Sequence, residues 1–536
     1  MDNNNTTTTT TTTVNNDEEI YRLAEPRKKG LLPLVFSRFF LIVVLLIIQI
    51  ALMIGFHAQL SQMLSAYSII MSIFTVLGIV YLFNSGMDPK AKMTWMFLIA
   101  IVPVFGVALL AFTQTNIGHR TIKKRVDEMI QRTKGILRQP DGVMEELAVD
   151  ISGTDDLDVF LNRSGCFPVY GKTEVTYFPL GEDKFAAMLE ELQKAKEYIF
   201  MEYFIIDEGY MWGKILKILE AKVKEGVDVR VMYDGTNEIT LLPSNYSELL
   251  EERGIKTKVF APIRPIVSSH YNYRDHRKIL VIDGKVAFNG GINLADEYIN
   301  RKVVHGHWKD TAIMLKGDAV PSFTLMFLQM WNITEENAVF EPWLKETGCI
   351  AEHSNGYVIP FADCPLDEDK VGETVYMDIL NRATNYVHIM TPYLILDDKM
   401  ETALKFAAQR GVDVKLILPG IPDKKLPFAL AKAHYKRLVA AGVKIYEYTP
   451  GFVHAKVFVS DDVKAVVGTI NLDYRSLYHH FECATYMYKT DCIPDVEKDF
   501  QDTLQKCHRV TEEDIENETL FYKVAGSLMQ FVAPLM

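Results

Sequence analysis

The chain reads as an α/β protein: two pseudo-symmetric α/β units behind an N-terminal helical membrane region. Three observations predict this. A His-x-Lys-x4-Asp strand motif occurs twice, at His276 and at His454, each time followed by a Gly-small-x-Asn group. Around each copy, short β-branched runs alternate with stretches of helical period. Ahead of both lie three long apolar runs within the first 113 residues.

The N-terminus comes first. Residues 1–33 form an Asn/Thr tract and a basic segment (Arg22, Arg27, Lys28, Lys29). Residues 1–18 have no apolar face and are expected to stay disordered. Apolar runs follow at 34–56, 66–84 and 93–113. The first and third are long enough to cross ~30 Å of hydrocarbon as helices, and the second is adequate. A cleaved signal peptide would have a shorter apolar region with no span close behind it. Residues 34–113 are therefore expected to be transmembrane helices of a multi-pass protein of the cell membrane. The flanking charges contradict each other. Arg27–Lys29 with Lys90 and Lys92 imply three spans and an external body, whereas Arg120, Lys123, Lys124 and Arg125 favour the inside. Pro103 and Gly106 can kink the third run into a shallow hairpin, so the side stays open. Residues 114–170 read as an amphipathic linker, with Ile122, Val126, Met129 and Ile130 at helical spacing among basic residues. Such a helix lies on a lipid surface or serves as a solvated connection.

The first unit is expected over 171–335. It has helices at 185–196, 210–225 and 247–253, strands at 198–206, 227–233 and 255–260, then the motif hairpin. Residues 336–374, with Gly, Pro and charge, are expected to connect the halves. The second unit, 375–536, repeats the order: helices at 375–384, 399–409 and 428–441, strands at 387–390, 412–418 and 443–448, then His454. Gly226-Val227-Asp228-Val229-Arg230 against Gly411-Val412-Asp413-Val414-Lys415 sets the register. Such alternation implies parallel pairing with helices on both faces, and a site between the halves. The apolar end, 527–536, is expected to pack on the body or dip into lipid.

Residues two apart on a strand share a face, so each His and Lys project together. Small residues then let backbone approach a ligand, and the Asn adds an amide donor. Doubled, the motif supplies two imidazoles (His276, His454), two ammonium groups (Lys278, Lys456) and two amides (Asn293, Asn471). That set suits a phosphate ester: cations and donors neutralise its oxygens while one imidazole attacks and the other protonates the leaving oxygen. Asp283 and Asp461 complete the catalytic motif. They fall at the hairpin turn, where they are expected to brace the loop rather than touch substrate.

The pair resembles the HKD motif (H-x-K-x4-D-x6-G-[GS]-x-N) of the phospholipase D superfamily. Trp308-Lys309-Asp310, Thr391-Pro392-Tyr393, Arg410-Gly411-Val412-Asp413-Val414, Gly442-Val443-Lys444-Ile445-Tyr446 and Asn471-Leu472-Asp473-Tyr474-Arg475-Ser476 are similar to its bacterial cardiolipin synthase branch. The resemblance covers roughly residues 93–536. It implies two phospholipase D-like units and transfer of a phosphatidyl group between two phosphatidylglycerol molecules, with membrane lipid as partner. It also implies His276 as nucleophile, His454 as acid, Asn293 and Asn471 as phosphate-binding groups, and Asp310 and Glu482 as orienting carboxylates. The nucleophile and acid roles can be exchanged, and a phospholipase D hydrolase or another head-group transferase would use the same residues. Two departures stand out. Gly291 and Thr469 occupy a position where Ser is common, and His480 stands where relatives carry Asn before Phe-Glu. His480 can face the site, although a satisfied structural histidine is the expectation.

Composition limits the alternatives. A net charge of -12 argues against nucleic acid as partner. Six Cys are scattered without C-x-x-C or a His/Cys cluster, so neither a metal site nor a disulfide framework is expected. No cofactor is implied.

Overall fold

The computed structural model describes residues 20–24, 48, 64–101, 103–114, 117–149, 157–165, 167–262, 273–344, 351 and 354–533. In the first half the strands are β1 (Thr173–Phe178), β2 (Tyr198–Tyr203), β3 (Asp228–Asp234), β4 (Lys256–Phe260), β5 (Arg274–Asp275), β6 (Lys278–Ile282), β7 (Val286–Gly290), β8 (His307–Lys309) and β9 (Ala312–Gly317). In the second they are β10 (Tyr357–Asp363), β11 (Tyr386–Met390), β12 (Asp413–Pro419), β13 (Lys444–Tyr448), β14 (Gly451–Val453), β15 (Val457–Ser460), β16 (Lys464–Gly468), β17 (His480–Tyr488) and β18 (Cys507–Arg509).

The two sheets match position by position. One runs β1-β9-β7-β6-β2-β3-β4 and the other β10-β17-β16-β15-β11-β12-β13, with β18 added at its edge. Along these two strand orders the expected parallel pairing joins β2-β3-β4 and β11-β12-β13. The motif strands β6 and β15 instead lie antiparallel to both neighbours. The reason is local: each runs through a tight turn into the next strand, and so short a connection joins only antiparallel partners. β10 is the edge strand of the second sheet, so part of 336–374, expected to be a connection, belongs to the second unit.

Period-two alternation places the motif residues. Leu280 and Ile282 face the first unit's own helices, Gly181–Lys194 and Tyr210–Lys224, whereas Ile279 and Val281 face a core shared between the units. Phe458 and its neighbours Val457 and Val459 divide the same way in the second unit. Val320–Trp331 and Ile493–Leu504, the helices after β9 and β17, complete the shared core. Both sheets are thus covered on both faces, which is why β6 and β15 are buried along their whole length.

The linker is part of this body. In helix Ile117–Thr133, Val126 and Met129 are buried in the shared core, and Arg125 and Arg132 bond the carbonyls of Ile333 and Ala338. Its apolar stripe, expected to lie on lipid or in a solvated connection, is covered by the catalytic units.

The N-terminal region differs from expectation. The third apolar run forms two helices, Pro89–Ile101 and Pro103–Gln114, of 13 and 12 residues. Each reaches only ~20 Å at 1.5 Å per residue. They pack together where Gly106 sits against Ile99; a Cβ there would lie 2.8 Å from the Ile99 Cα. Helix Leu64–Asn84 joins them around Leu82, Trp95, Ile99 and Leu110. Among the described residues no helix is long and apolar enough to cross a membrane. The run at 34–56 and the tract at 1–18 lie outside the described residues, Ile48 excepted. At the other end, helix Leu520–Val532 packs on Lys425–Ala440, with Phe531 against Phe97 at 4.8 Å between ring centroids.

Candidate active site

Each motif histidine is positioned by the opposite unit. β5, which leads into His276, pairs with β17, and the His276 amide donates to the carbonyl of Phe481 at 3.0 Å. The next residue on β17 is Glu482. Its two carboxylate oxygens lie 2.9 and 3.0 Å from His276 Nδ1. The other side mirrors this. β14, which leads into His454, pairs with β8, and the His454 amide donates to the carbonyl of Lys309 at 2.7 Å. The next residue is Asp310, whose Oδ2 lies 2.6 Å from His454 Nδ1. One backbone register therefore delivers both the ring and its carboxylate. With Nδ1–H donated to a carboxylate, the lone pair of each ring sits on Nε2.

The ammonium groups stay beside their histidines. Lys278 Nζ bonds the carbonyl of His276, and Lys456 Nζ bonds the carbonyl of His454 and lies 2.9 Å from its Nδ1. Both lysines are fully buried, and burial pulls their pKa values down, Lys278 to about 8 and Lys456 to about 7. Lys278 feels both Glu482 and Asp310, so the two halves share one electrostatic field. Burial likewise holds His276 well below the ordinary histidine range, against the pull of Glu482, and His454 at about 4. Although burial pushes Glu482 up, His276 and His480 keep its carboxyl well below the usual range. Burial thus favours the neutral form of both rings. An arriving phosphodiester anion would raise imidazoles and ammoniums together.

The remaining motif residues divide. Asp283 and Asp461 open the turns that follow β6 and β15, at the ends of those strands away from the histidines, at φ 52° and 54°. Asp283 accepts from the amides of Lys196, Glu197 and Tyr198 at 2.8–2.9 Å, and Asp461 from those of Thr384, Asn385 and Tyr386 at 2.8 Å. They tie the turn to the strand beside it, a structural task, although they count with the catalytic motif in sequence. Asn293 is fully engaged: Oδ1 accepts from the Ile205 amide and Nδ2 donates to the Tyr298 hydroxyl. Tyr298 in turn packs edge-on against the His454 ring at 5.4 Å. Asn471, by contrast, has a buried Oδ1 with no hydrogen-bond partner among the described residues.

The fold explains the Gly291/Thr469 departure. A Cβ at 291 would lie 2.1 Å from Asp310 Oδ1, so only glycine leaves room for that carboxylate. At 469 the hydroxyl donates to Glu482 Oε2 and fixes it. Three further residues were not read as site residues in the sequence. Lys184 is buried, bonds the Ile292 carbonyl at 3.2 Å, and is pulled down to about 7 by burial. Tyr376 holds the equivalent Ile470 carbonyl at 2.9 Å in the second half. Their signal was one of position only: both lie early in the helix that covers the motif strand. The third is His480. Expected to be satisfied, its buried Nδ1 has no hydrogen-bond partner among the described residues and points at Glu482 Oε1 from 3.6 Å. His276, His480 and Glu482 together form a potential metal-ligand group, which the sequence did not lead us to expect.

Comparison with known proteins follows this geometry. A family profile described as "Cardiolipin synthase, PLD-like domain" matches residues 188–317 and 376–504. An uncharacterized protein of Streptococcus mutans is 57% identical over 86% of this chain and 99% of its own length. Cardiolipin synthase 2 of Bacillus anthracis is 34% identical over 87% of this chain and 90% of its own. Cardiolipin synthase of Halalkalibacterium halodurans is 31% identical over 88% and 94%. In fold, the chain is similar to the crystal structure of phosphatidylserine synthase from Haemophilus influenzae, with TM-score 0.53 and 15% identity over 71% of this chain and 97% of that one. On the two motifs, the matched sheets and these relatives, the chain belongs to the cardiolipin synthase family of phospholipase D-like proteins.

Proposed function

We propose that the chain is a phosphatidyltransferase that condenses two phosphatidylglycerols into cardiolipin and glycerol. The observation that carries this is the crossed pairing, His276 with Glu482 and His454 with Asp310, which sets two imidazoles, each with an ammonium group beside it, where the two halves meet, a set suited to one phosphodiester. Nε2 of His276 attacks phosphorus. The negative phosphodiester raises His454 to its imidazolium; the P–O bond to glycerol breaks and the departing oxygen takes the Nε2 proton of that imidazolium, leaving a phosphatidyl-histidine. His454, now neutral, removes the proton from a hydroxyl of the second phosphatidylglycerol. That oxygen attacks phosphorus and the P–N bond breaks, regenerating both rings. Lys278 and Lys456 offset the charge on the phosphoryl oxygens throughout, at roughly 3–4 kcal/mol of barrier for each such donor.

A lipid substrate calls for a lipid-facing surface, and the membrane seat belongs to this reading. Large apolar side chains stand exposed on Leu64–Asn84 (Ile69, Leu77, Phe83), on Pro89–Ile101 (Met93, Phe97) and on Leu520–Val532 (Leu520, Phe521, Leu528). The Lys90–Asp398 ion pair at 2.8 Å and the Thr94 hydroxyl on the Phe531 carbonyl at 2.6 Å join these helices to the second unit. We read them as the lipid-contacting side, with the 89–114 hairpin entering without crossing; the first apolar run, 34–56, is the candidate span.

Labelled phosphatidylglycerol incubated with the full chain in mixed micelles, without nucleotide, should give cardiolipin and free glycerol in equal amounts. Phosphatidic acid as the sole phospholipid product would replace this reading with a hydrolase.

A further inference from the structure

The group His276, His480 and Glu482 is not used as a unit by the transfer reaction. Glu482 Oε1 lies between two imidazoles, 2.9 Å from His276 Nδ1 and 3.6 Å from His480 Nδ1. All three side chains are more than nine-tenths buried, and their ligand atoms lie within 4.8 Å of one another. Among the described residues His480 Nδ1 has no hydrogen-bond partner. A structural histidine would use that nitrogen, since an unpaired buried polar atom costs about 1–3 kcal/mol. Instead the ring stacks obliquely on His276, at 5.3 Å between centroids, with its free nitrogen turned toward the shared carboxylate. Around an ion with Zn–N and Zn–O bonds of ~2.0–2.1 Å, tetrahedral ligand atoms stand ~3.4 Å apart. The two separations to Glu482 Oε1 bracket that value.

We propose that His276, His480 and Glu482 form an inhibitory site for a borderline divalent cation such as Zn²⁺, with a fourth position open. Two imidazoles and one carboxylate are a usual donor set for that ion. Inhibition follows from the tautomer. A neutral imidazole has one N–H and one lone pair. When Nδ1 of His276 gives its lone pair to the cation, the ring proton must sit on Nε2, and the lone pair that attacks phosphorus is lost. The cation also takes the carboxylate that otherwise holds Nδ1–H. Catalysis needs Glu482 and His276 but not the metal, so chelation restores activity. Among the described residues the first half has no such donor: the corresponding place, two before Asp310, holds Trp308, whose ring lies 5.5 Å from that of His454 and whose indole N–H offers a cation no lone pair.

The test uses the purified full chain in detergent, with Zn²⁺ itself as probe. Competition with a chromophoric chelator should show one high-affinity ion per chain, and His480→Asn should weaken it by at least ~10-fold. Absorption-edge spectroscopy should show only nitrogen and oxygen around the ion. Binding undiminished in His480→Asn, or sulfur in the coordination shell, would overturn the assignment. The inhibitory role rests on the transferase reading, so it is measured separately. Zn²⁺ should stop cardiolipin formation by wild type reversibly with a chelator, and His480→Asn should need at least ~10-fold more. Equal sensitivity of the two proteins would refute inhibition at this site, whereas a chain without transferase activity that still binds Zn²⁺ through His480 would fail only the proposed function.

Discussion

The two halves have the same strand order and the same motif, yet they support their histidines differently. In the first half a short carboxylate, Asp310, is admitted by the absence of a side chain at Gly291. In the second a longer one, Glu482, is clasped by the Thr469 hydroxyl and flanked by a third imidazole, His480. Under the first motif lies an ammonium, Lys184; under the second lies a neutral phenol, Tyr376. Pseudo-symmetry of backbone thus coexists with asymmetry of electrostatics, and a nucleophile and an acid require that asymmetry. Their environments must hold two chemically identical rings in different protonation states.

The comparison is broken most severely at the rings. His276→Ala and His454→Ala should each lower cardiolipin formation by ~10²–10⁴-fold or more. They should differ in the covalent step: labelled phosphatidyl adduct accumulates in His454→Ala and is absent from His276→Ala. The opposite pattern of trapping would exchange the roles.

Next comes Gly291→Ala, which drives a methyl into Asp310. Turnover should fall ~10²-fold, as expected when a reacting group shifts by about 1 Å, while circular dichroism stays that of wild type. Its counterpart Thr469→Gly loses one hydrogen bond to a charged group, ~1.5–3 kcal/mol, or roughly 10–100-fold. If Gly291→Ala is as active as wild type, Asp310 does not need the position it occupies.

The buried ammonium groups predict a pH dependence of stability. Lys184, Lys278 and Lys456, at about 7, 8 and 7, lie below the ~10.4 of a free lysine. Between about pH 7 and 10 the unfolded chain therefore binds more protons than the folded one. Resistance to denaturant should rise with pH across that window. Lys184→Met should be the more stable protein at pH 7 and should show a shallower rise, whereas Tyr376→Phe should leave the slope unchanged. A slope identical in Lys184→Met would mean that Lys184 keeps its charge.

The smallest effect on catalysis is expected at the turn carboxylates. Asp283→Ala and Asp461→Ala should leave kcat within about twofold but cost ~1–3 kcal/mol of stability each. Asp461 should cost more, because it also accepts from the Thr384 hydroxyl at 3.0 Å. A large loss of kcat in a variant that stays folded would return these residues to the chemistry.

Much of this was legible in the sequence because it is local. His and Lys two apart on a strand, an Asp at a turn and a glycine-rich return are set by backbone periodicity, and the repetition of helix and strand follows from hydrophobic spacing. The direction of pairing was misread because alternation of helix and strand does not reveal a hairpin inserted into the same sheet. His480 was misread because its spare nitrogen is visible only once Glu482 stands beside it. The docking of Ile117–Thr133 was missed for a related reason: an apolar stripe specifies that something covers it, and not what.

By itself the sequence determined the strands, the turns and the chemical inventory of two imidazoles, two ammoniums and their carboxylates, since each depends on neighbours a few residues away. Only the tertiary structure decided which carboxylate serves which ring. Asp310 lies 144 residues from His454 and Glu482 lies 206 from His276. No local spacing encodes those partnerships; they come from two sheets meeting face to face over a shared core, where one strand register carries each carboxylate across to the other half's histidine.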